Sequence, residues 1–376
     1  MAFNLKKFFS KTILIVGCLY SLVYFISCLT PYINPAHFYP LTFLPLIFPY
    51  LFAGMIVWLL IVLFFYRKQI LLFLVIFLSG SQNIAAVFSF HFPSTFVQQK
   101  SKKDIRVLSW NVQDFLDSQC HTDTVGNKRR DMMDFIKKMD ADVICLQDFT
   151  EQISEAYRSS INDVMATNQY GYHFFSKDFE KKYYYALSQY GTCIFSKFPI
   201  IAEGRIVYPG KNYPESMGYA DIKIGTDTMR FYNTHLQSMY LKFTPDPGAE
   251  YDFIKDEATF LEAHTKMQDR LRHYDLKHIA EVQFARNDMD VCRFPYVFCA
   301  DLNAVPSSYV YHKISKGLTD AFIAKGAGIL ATYDGINPTL RIDVVLMSKQ
   351  LKPVQYYSPR LHASDHFPIV ADIQFR

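Results

Sequence analysis

Charged residues are scarce in the first hundred positions of the chain, and their share becomes ordinary only after that point. Over the whole length of 376 residues, 39 basic and 35 acidic residues leave a net charge of only +4. Such a small excess does not by itself indicate a nucleic-acid-binding protein. A content of 50% hydrophobic and 16% aromatic residues also excludes an intrinsically disordered chain. The uneven charge predicts two physically different parts joined in one chain.

Several familiar signatures are missing from the sequence. Seven cysteines, an odd number in a long chain, do not indicate a disulfide scaffold. No serine or cysteine stands in the sequence context of a nucleophile elbow, so covalent hydrolase chemistry is not indicated. His273 and His278 are five positions apart, a spacing that does not place two ligands on one helix face for zinc. There is also no internal repeat and no low-complexity tract.

The charge-poor part contains apolar runs long enough to cross a membrane. These runs cover residues 12–30, 41–66 and 69–92, and the first two contain no charged side chain. A helix of about 20 apolar residues spans the ~30 Å hydrocarbon layer of a bilayer. We therefore expect an all-α transmembrane region over residues 1–97, with an uncleaved first helix. The third run is the weakest candidate, because its polar second half could lie at the interface or against the other helices.

Basic residues in the short flanks of these runs set the expected orientation. The basic residues of the flanks are Lys6, Lys7, Lys11, Arg67 and Lys68. The loop 31–40 contains no Lys or Arg. With three crossings, the amino terminus is cytoplasmic and the soluble part extracytoplasmic. The basic residues 100–106 count against this orientation, and with only two crossings the soluble part faces the cytoplasm.

After a polar linker over residues 98–104, residues 105–376 alternate short apolar runs with amphipathic stretches, a pattern typical of a mixed α/β domain. The predicted strands are Ile105–Trp110, Val143–Gln147, Thr192–Ser196, Met229–Thr234, Tyr296–Ala300, Ile342–Met347 and Pro368–Ile373. The predicted helices cover about 127–139, 151–165, 250–286 and 307–316.

The predicted strands end in acids, amides or imidazoles. These clusters are Trp110-Asn111, Gln147-Asp148, Asn233-Thr234-His235, Asp301-Leu302-Asn303, Asp343 and Ser364-Asp365-His366. Each cluster taken alone is more typical of a turn or a helix cap. Six of them in one domain indicate a site, because active sites on sheet scaffolds are built from loops at strand ends.

The order of the motifs resembles one known superfamily. The motifs are SWNVQDF (109–115), DVICLQDF (142–149), YGTCIFSKFPI (190–200), FYNTHLQS (231–238), FCADLNAVPSS (298–308), RIDVVLMS (341–348) and SDHFPIVADI (364–373). Together they resemble the endonuclease/exonuclease/phosphatase superfamily, which has the DNase-I-like fold. The resemblance implies a four-layer α/β sandwich of two mixed β-sheets flanked by helices, and hydrolysis of phosphoester bonds with Mg²⁺, or alternatively Mn²⁺.

The same resemblance implies a role for individual residues. The catalytic residues would be His366, Asp343, Asp301, His235 and Asn303. The phosphate-binding residues would be Asn111, Asn303 and His235. Asp343 would orient His366, which would act as general base or transition-state stabiliser. Asp301 and Asn303 would position the attacking water and a phosphate oxygen, and His235 would contact or protonate the phosphate.

The implied metal ligands are Asp148, Asp365 and Asn111. Mg²⁺ prefers carboxylate oxygens and retained waters, so acids from different loops suit it better than a His/Cys cage. Asp148 stands where the family usually has Glu, and the shorter side chain loses one carbon–carbon bond, roughly 1.5 Å. Ala300 stands where the family usually has Gly, which we interpret as neutral.

We therefore expect a phosphoesterase, with phosphodiesters as the preferred substrates, that is anchored in the cell membrane by its own helices. The family's substrates include DNA, RNA, sphingomyelin-type lipids and phosphoinositides. The motifs do not distinguish between a nucleic acid and a phospholipid as the substrate. The implied partners are the bilayer and the substrate, with no protein partner. The alternative is a membrane-anchored binding or scaffold protein on the same fold, weakened in catalysis by Asp148. A transporter is not indicated, because the apolar runs carry no charged residue for a translocation path.

Overall fold

The structure is a computed structural model that describes residues 5–116, 123–153, 159–167, 170–182, 187–210, 214–238, 267–335 and 338–376. The amino-terminal helices are α1 (Leu5–Cys28), α2 (Leu44–Phe65), α3 (Ile70–Ser79) and α4 (Ser81–Val87). The apolar parts of α1 and α2 are each long enough to cross a membrane. A third span results if the pair Arg67–Ser79 and Ser81–Val87, bent by 51°, is counted as one.

The bend between α3 and α4 lies at Gly80, where α1 approaches closely. A Cβ atom at Gly80 would lie 2.1 Å from the hydroxyl oxygen of Tyr24. That hydroxyl donates a hydrogen bond to the Phe77 carbonyl at 2.9 Å. Glycine therefore permits the close contact between α1 and the bent pair. The third helical segment ends at Val87, whereas the prediction from the sequence extended it to residue 92.

The amino-terminal helices run in alternating directions. The Tyr66 hydroxyl, just after α2, donates to the Ser10 carbonyl near the start of α1 at 2.7 Å. At the opposite end, the Asn83 amide of α4 donates to the Ser27 carbonyl near the end of α1 at 3.3 Å. The start of α1 and the end of α2, where the flanking basic residues lie, are thus at one end of this helical unit.

The rest of the chain forms two mixed β-sheets. The described strands are β1 (Ile105–Asn111), β2 (Val143–Ile153), β3 (Tyr172–Lys182), β4 (Leu187–Ser196), β5 (Ile200–Val207), β6 (Ser216–Ile224), β7 (Asp227–His235), β8 (Tyr296–Asp301), β9 (Thr319–Asp320), β10 (Asp343–Met347), β11 (Leu351–Tyr357) and β12 (Ile369–Phe375). The two six-stranded sheets have the orders β11-β12-β1-β2-β4-β3 and β5-β6-β7-β8-β10-β9. The pairs β1–β2 and β7–β8 are parallel, and the other pairs are antiparallel.

Helices cover the outer faces of both sheets. They are α5 (Asp123–Met139), α6 (Ser160–Thr167), α7 (Met267–Met289) and α8 (Tyr309–Ile314), whereas α9 (Ala321–Lys325) places Ala321 in the cluster between the sheets. One buried cluster joins the inner faces of the sheets and includes Val107 and Phe231. A second cluster packs Ile136 of α5 onto the first sheet, and a third packs Val282 of α7 onto the second. The predicted α/β sandwich of two mixed sheets with flanking helices, the DNase-I-like fold, is confirmed.

Two helix predictions need correction or restriction. The helix predicted over 151–165 is wrong at its start, because β2 continues to Ile153 and pairs there with β4. Glu151 instead accepts a hydrogen bond from the Ile161 backbone N–H at 2.8 Å, in the first turn of α6. Of the helix predicted over 250–286, the part before Met267 lies outside the described residues.

The segment between α4 and β1, including residues 98–104, contains neither helix nor strand, and it packs on the domain. The Phe96 ring stacks on Tyr357 with centroids 4.6 Å apart. Arg106 donates to the carbonyl oxygens of Val97 and Gln98 at 3.1 and 2.8 Å. The linker therefore follows the surface of the first sheet.

Candidate active site

Polar side chains meet at one edge of both sheets. In the first sheet, Asn111 at the end of β1 is the register partner of Gln147 in the parallel strand β2. In the second, His235 at the end of β7 is the partner of Asp301 at the end of β8. Asp343 begins the antiparallel strand β10 and is also a partner of Asp301. Because the sheets pack face to face, these strand ends form a single site.

The Asp301 carboxylate lies at the centre of this site and is fully buried. Its Oδ2 atom is 3.6 Å from Nε2 of His235 and 3.6 Å from Nε2 of His366. The same oxygen accepts a hydrogen bond from the Asn111 side-chain amide at 2.9 Å. The other oxygen, Oδ1, accepts from the Asn303 backbone N–H at 2.9 Å. Two imidazoles and an amide therefore converge on one acid.

His366 is fixed from both sides of its ring. Its Nδ1 atom lies 3.0 and 3.1 Å from the two Asp343 oxygens, both residues being buried. The Tyr333 ring packs on the imidazole with centroids 4.9 Å apart, and the Trp110 indole donates to the His366 carbonyl at 2.9 Å. With Nδ1 occupied by Asp343, Nε2 faces Asp301, and the hydrogen bond selects the tautomer.

His235 has a different set of partners. Its Nε2 atom lies 3.2 Å from the Asn303 side-chain amide, which also donates to the Leu236 carbonyl at 2.9 Å. Its Nδ1 atom lies 3.7 Å from an oxygen of Glu215. Asn303 has a backbone φ of +46°, a left-handed conformation that Asn tolerates better than most residues. This conformation forms the turn that brings the Asn303 side-chain amide to the His235 imidazole.

Asp148 reaches the site from a bulge in β2. The register between β2 and β4 shifts between Leu146 and Phe149, and Asp148 has a backbone φ of +50°. A bulge re-aims a side chain out of the regular strand alternation. The Asp148 charge acts on His235, so the side chain faces the site. Asp365 approaches from the other side, with an oxygen 3.9 Å from His366 Nε2.

Burial and the neighbouring charges shift the pKa values of His235, His366 and Asp301. Burial disfavours the cationic form of His235, but Asp148, Glu215 and Asp301 outweigh burial and raise its pKa to about 10. Burial likewise opposes protonation of His366, yet Asp343, Asp301 and Asp365 raise its pKa to about 10. Burial first, and then Asp343, raise the pKa of Asp301 to about 6 against the lowering effect of the imidazoles. A divalent cation bound among these acids would lower all three values.

Three of these residues could hold a metal ion. Ligand atoms of Asp301, Asp343 and His366 all lie within 4.8 Å of one another. This set differs from the predicted ligands, of which Asp148 and Asp365 offer carboxylates at the rim. The third predicted ligand, Asn111, already uses its carbonyl oxygen to accept from the Gln113 backbone at 3.0 Å, although an amide oxygen has a second lone pair. A donor set dominated by carboxylates fits a hard cation such as Mg²⁺.

All eight predicted site residues, Asn111, Asp148, His235, Asp301, Asn303, Asp343, Asp365 and His366, are therefore brought together. Sequence reasoning missed a supporting network behind them. The Gln147 amide donates to the Asn233 side chain at 2.7 Å and thereby joins the two sheets. The Ser364 hydroxyl donates to the Asn111 carbonyl at 2.8 Å and accepts from the His366 backbone at 3.1 Å. Both lie inside the motifs, next to residues assigned a role. Glu215 lies in none of the quoted motifs, so no sequence pattern predicted its place beside His235.

Comparisons with known proteins agree with this architecture. Residues 108–366 match the model of the endonuclease/exonuclease/phosphatase family, and the chain belongs to that family. Residues 10–87 match a second family, described only as a domain of unknown function. A search of curated proteins found no match.

Solved structures of similar fold include three proteins that carry the same family description. The one from Beutenbergia cavernae DSM 12333 is 18% identical with a TM-score of 0.50, over 73% of this chain and 72% of its own. The one from Leptotrichia buccalis C-1013-b is 14% identical with a TM-score of 0.50, over 72% of this chain and 100% of its own. The one from Bacteroides vulgatus is 16% identical with a TM-score of 0.50, over 73% of this chain and 100% of its own. At these identities the likeness concerns the fold alone.

Proposed function

We propose that the protein is a membrane-anchored, metal-dependent phosphodiesterase. The observation that carries this proposal is the position of the Asp301 carboxylate, whose Oδ2 atom lies 3.6 Å from the Nε2 atoms of both His235 and His366. Two cationic imidazoles beside a buried acid supply both phosphate binding and proton transfer. Family membership supports hydrolase chemistry at this edge of the sheets.

The residues would divide the reaction between them. Asp301 accepts a proton from the attacking water, because burial raises its pKa above that of an ordinary carboxyl group and makes it a better base. The water oxygen bonds to phosphorus, the opposite phosphorus–oxygen ester bond breaks, and the departing alkoxide takes a proton from the His235 imidazolium. The proton that Asp301 took from water then returns to His235, whose Nε2 atom lies 3.6 Å from Asp301 Oδ2. His235 and His366 donate hydrogen bonds to the phosphate oxygens as negative charge develops. Asp343 holds the His366 ring in place and stabilises its charge.

The metal would be held at the rim, with Asp148 and Asp365 as carboxylate ligands, as the resemblance implies. The buried set of Asp301, Asp343 and His366 is the alternative. When bound, Mg²⁺ supplies positive charge that neutralises the phosphate and eases ionisation of water. The neutral amides of Asn111 and Asn303 can donate to phosphate oxygens without adding charge.

A direct test measures hydrolysis of bis(p-nitrophenyl) phosphate by the full-length protein in nanodiscs. We expect activity that depends on Mg²⁺ or Mn²⁺, is abolished by EDTA, and is lost in His366→Ala. A folded protein that binds Mg²⁺ but shows no hydrolysis of this diester with any divalent ion would favour the scaffold alternative instead. Plasmid DNA, RNA, sphingomyelin and phosphoinositides then form the substrate panel.

We also propose that the domain is extracytoplasmic. The basic residues Lys11, Arg67 and Lys68 lie at one end of the helical unit, while the catalytic domain contacts the other end through Thr30 and Ala86. Cytoplasmic flanks are rich in Lys and Arg. Protease added to spheroplasts should therefore digest the domain after residue 104. Protection until the membrane is permeabilised would place it in the cytoplasm.

A further inference from the structure

The loop that joins α1 to α2, residues 29–43 and here called the interface loop, is attached to the catalytic domain. The Thr30 hydroxyl donates to the Ser307 carbonyl at 2.9 Å. The Ser307 hydroxyl in turn donates to the Pro45 carbonyl at 2.7 Å, in the first turn of α2. The Tyr32 ring packs edge-on against His312 with centroids 5.2 Å apart. Because α1 and α2 are candidate spans, this loop lies where the chain would leave the membrane.

A second attachment fixes the same end of the helical unit. Arg341 donates to the Ala86 carbonyl of α4 at 2.8 Å and pairs with Asp320 at 2.7 Å, both charged side chains being buried. Ser89 exchanges two backbone hydrogen bonds with Gly328, each 2.9 Å long. The membrane helices and the catalytic domain are therefore joined at several points, and one of these points is two residues from Asp343.

Between the interface loop and the domain lies a cavity of about 40 Å³, here called the interface cavity. Its membrane-side wall includes Ile33, Phe38 and Thr42, and its domain-side wall includes Val305. Asn303 also lines it, and the side chain of Asn303 contacts His235 in the active site at 3.2 Å. The cavity thus adjoins the phosphate site on its membrane side. This volume has room for about three water molecules, so it accepts a short segment of a ligand.

The lining of the interface cavity selects against a polyanion. Most of the wall is apolar, and among the described residues that line it there is no Lys or Arg. The charged group there is Asp275, whose Oδ2 atom has no hydrogen-bond partner in the described part of the chain. Nucleic-acid strands are bound by basic grooves with stacking aromatics. An apolar wall with a single unsatisfied acid fits instead the ester-bearing, apolar segment of an amphiphile.

We propose that the interface cavity binds the segment that joins phosphate to the apolar chain of a membrane phospholipid, so that the substrate is drawn from the bilayer. This inference rests on the proposed function for the position of the phosphate. The Asp275 carboxyl then has a partner, because it accepts from the hydroxyl groups found at that level of a lipid or, when protonated, donates to an ester oxygen.

The test compares p-nitrophenyl methyl phosphate with p-nitrophenyl hexyl phosphate, using the full-length protein in nanodiscs with Mg²⁺. Thr42→Trp fills the cavity from the interface loop, and Ala36→Trp adds the same bulk at an exposed position of that loop outside the cavity. We expect the wild type to prefer the hexyl diester by about tenfold in kcat/KM, the effect of burying about two of the five additional methylenes in this small cavity. Thr42→Trp should lose this preference, because its kcat/KM falls much more on the hexyl diester than on the methyl diester. Ala36→Trp should keep both.

Partition of the hexyl chain into the bilayer is the same for both variants, so their difference reports the cavity. Equal use of the two diesters by the wild type, or an equal loss on both in Thr42→Trp, would overturn the inference. If neither diester is hydrolysed, the proposed function fails separately, and binding of hexyl phosphate against methyl phosphate by calorimetry decides the cavity. Weaker binding of hexyl phosphate in Thr42→Trp than in Ala36→Trp supports the inference, and equal binding rejects it.

Discussion

The pairing of Asp343 with His366 predicts a large kinetic effect of one isosteric substitution. Asp343→Asn keeps the shape of the side chain but removes the charge beside Nδ1, which lies 3.0 Å from one carboxylate oxygen. Charges about 4 Å apart interact by about 4 kcal/mol at an effective dielectric constant of 20. If bound Mg²⁺ lowers the His366 pKa so that the ring becomes cationic only in the transition state, the variant should lose roughly a thousandfold in kcat at saturating Mg²⁺.

The assay separates this role from metal binding. Initial rates on bis(p-nitrophenyl) phosphate are measured across a Mg²⁺ series for wild type, Asp343→Asn and the control Asp334→Asn. The control removes the charge from an exposed Asp–His pair, in which Asp334 lies 2.6 Å from His362. We expect the control to match wild type, and Asp343→Asn to lose kcat while the Mg²⁺ concentration for half-maximal activity stays the same.

Two results would refute the reasoning. If high Mg²⁺ restores kcat in Asp343→Asn, then Asp343 acts as a metal ligand, which its place near Asp301 and His366 permits. If kcat falls less than tenfold, the charge beside His366 does not matter in the transition state. In the metal-free protein, the pKa of His366, raised to about 10 by neighbouring acids led by Asp343, should also fall in this variant when followed by NMR.

Three further variants test the metal site, the core and the pH dependence. Asp148→Ala should raise the Mg²⁺ concentration for half-maximal activity at least tenfold, whereas kcat at saturating Mg²⁺ changes less, because the resemblance makes Asp148 a ligand. Arg106→Met leaves Asp372 buried without its bidentate partner at 2.7 and 2.9 Å, so thermal unfolding should show a loss of about 3–5 kcal/mol, most of it recovered in Arg106→Met/Asp372→Leu. Burial, with Glu215 adding to it, raises the pKa of Glu281 to about 8, so wild type loses stability as pH rises from about 4.5 to 8. The midpoint temperature of Glu281→Gln should therefore equal that of wild type near pH 4.5 and exceed it by several degrees at pH 8.5.

The strands that carry the site could be predicted because they are buried on both faces. Such strands are continuous apolar runs, as β1, β8 and β10 are in this chain, and a polar residue after each run marks a strand end. The order of those polar residues was enough to identify the fold. Strands with alternating or half-exposed residues, such as β3 and β5, gave no comparable signal.

What the sequence did not reveal depends on contacts between distant segments. The break at Gly80 depends on the approach of Tyr24 from another helix. The extension of β2 to Ile153 depends on pairing with β4, which overrides the polar, helix-like character of those residues. Glu215 joins the site only because β6 places it beside His235, 3.7 Å from Nδ1. No local pattern encodes such contacts.

The acids of the site outnumber its cations, and this imbalance bears on the role of the metal. The carboxylates of Asp148, Asp301, Asp343 and Asp365 face only two imidazoles, whose pKa values these acids raise to about 10 in the metal-free protein. A phosphodiester brings a further negative charge into this buried region, where repulsion is poorly screened. We therefore expect substrate binding to require a cation before any chemical step does. If Asp148 is a ligand, as the resemblance implies, the surrounding acids strengthen the attraction for the ion and so offset its shorter reach, and its side chain approaches from the bulge in β2.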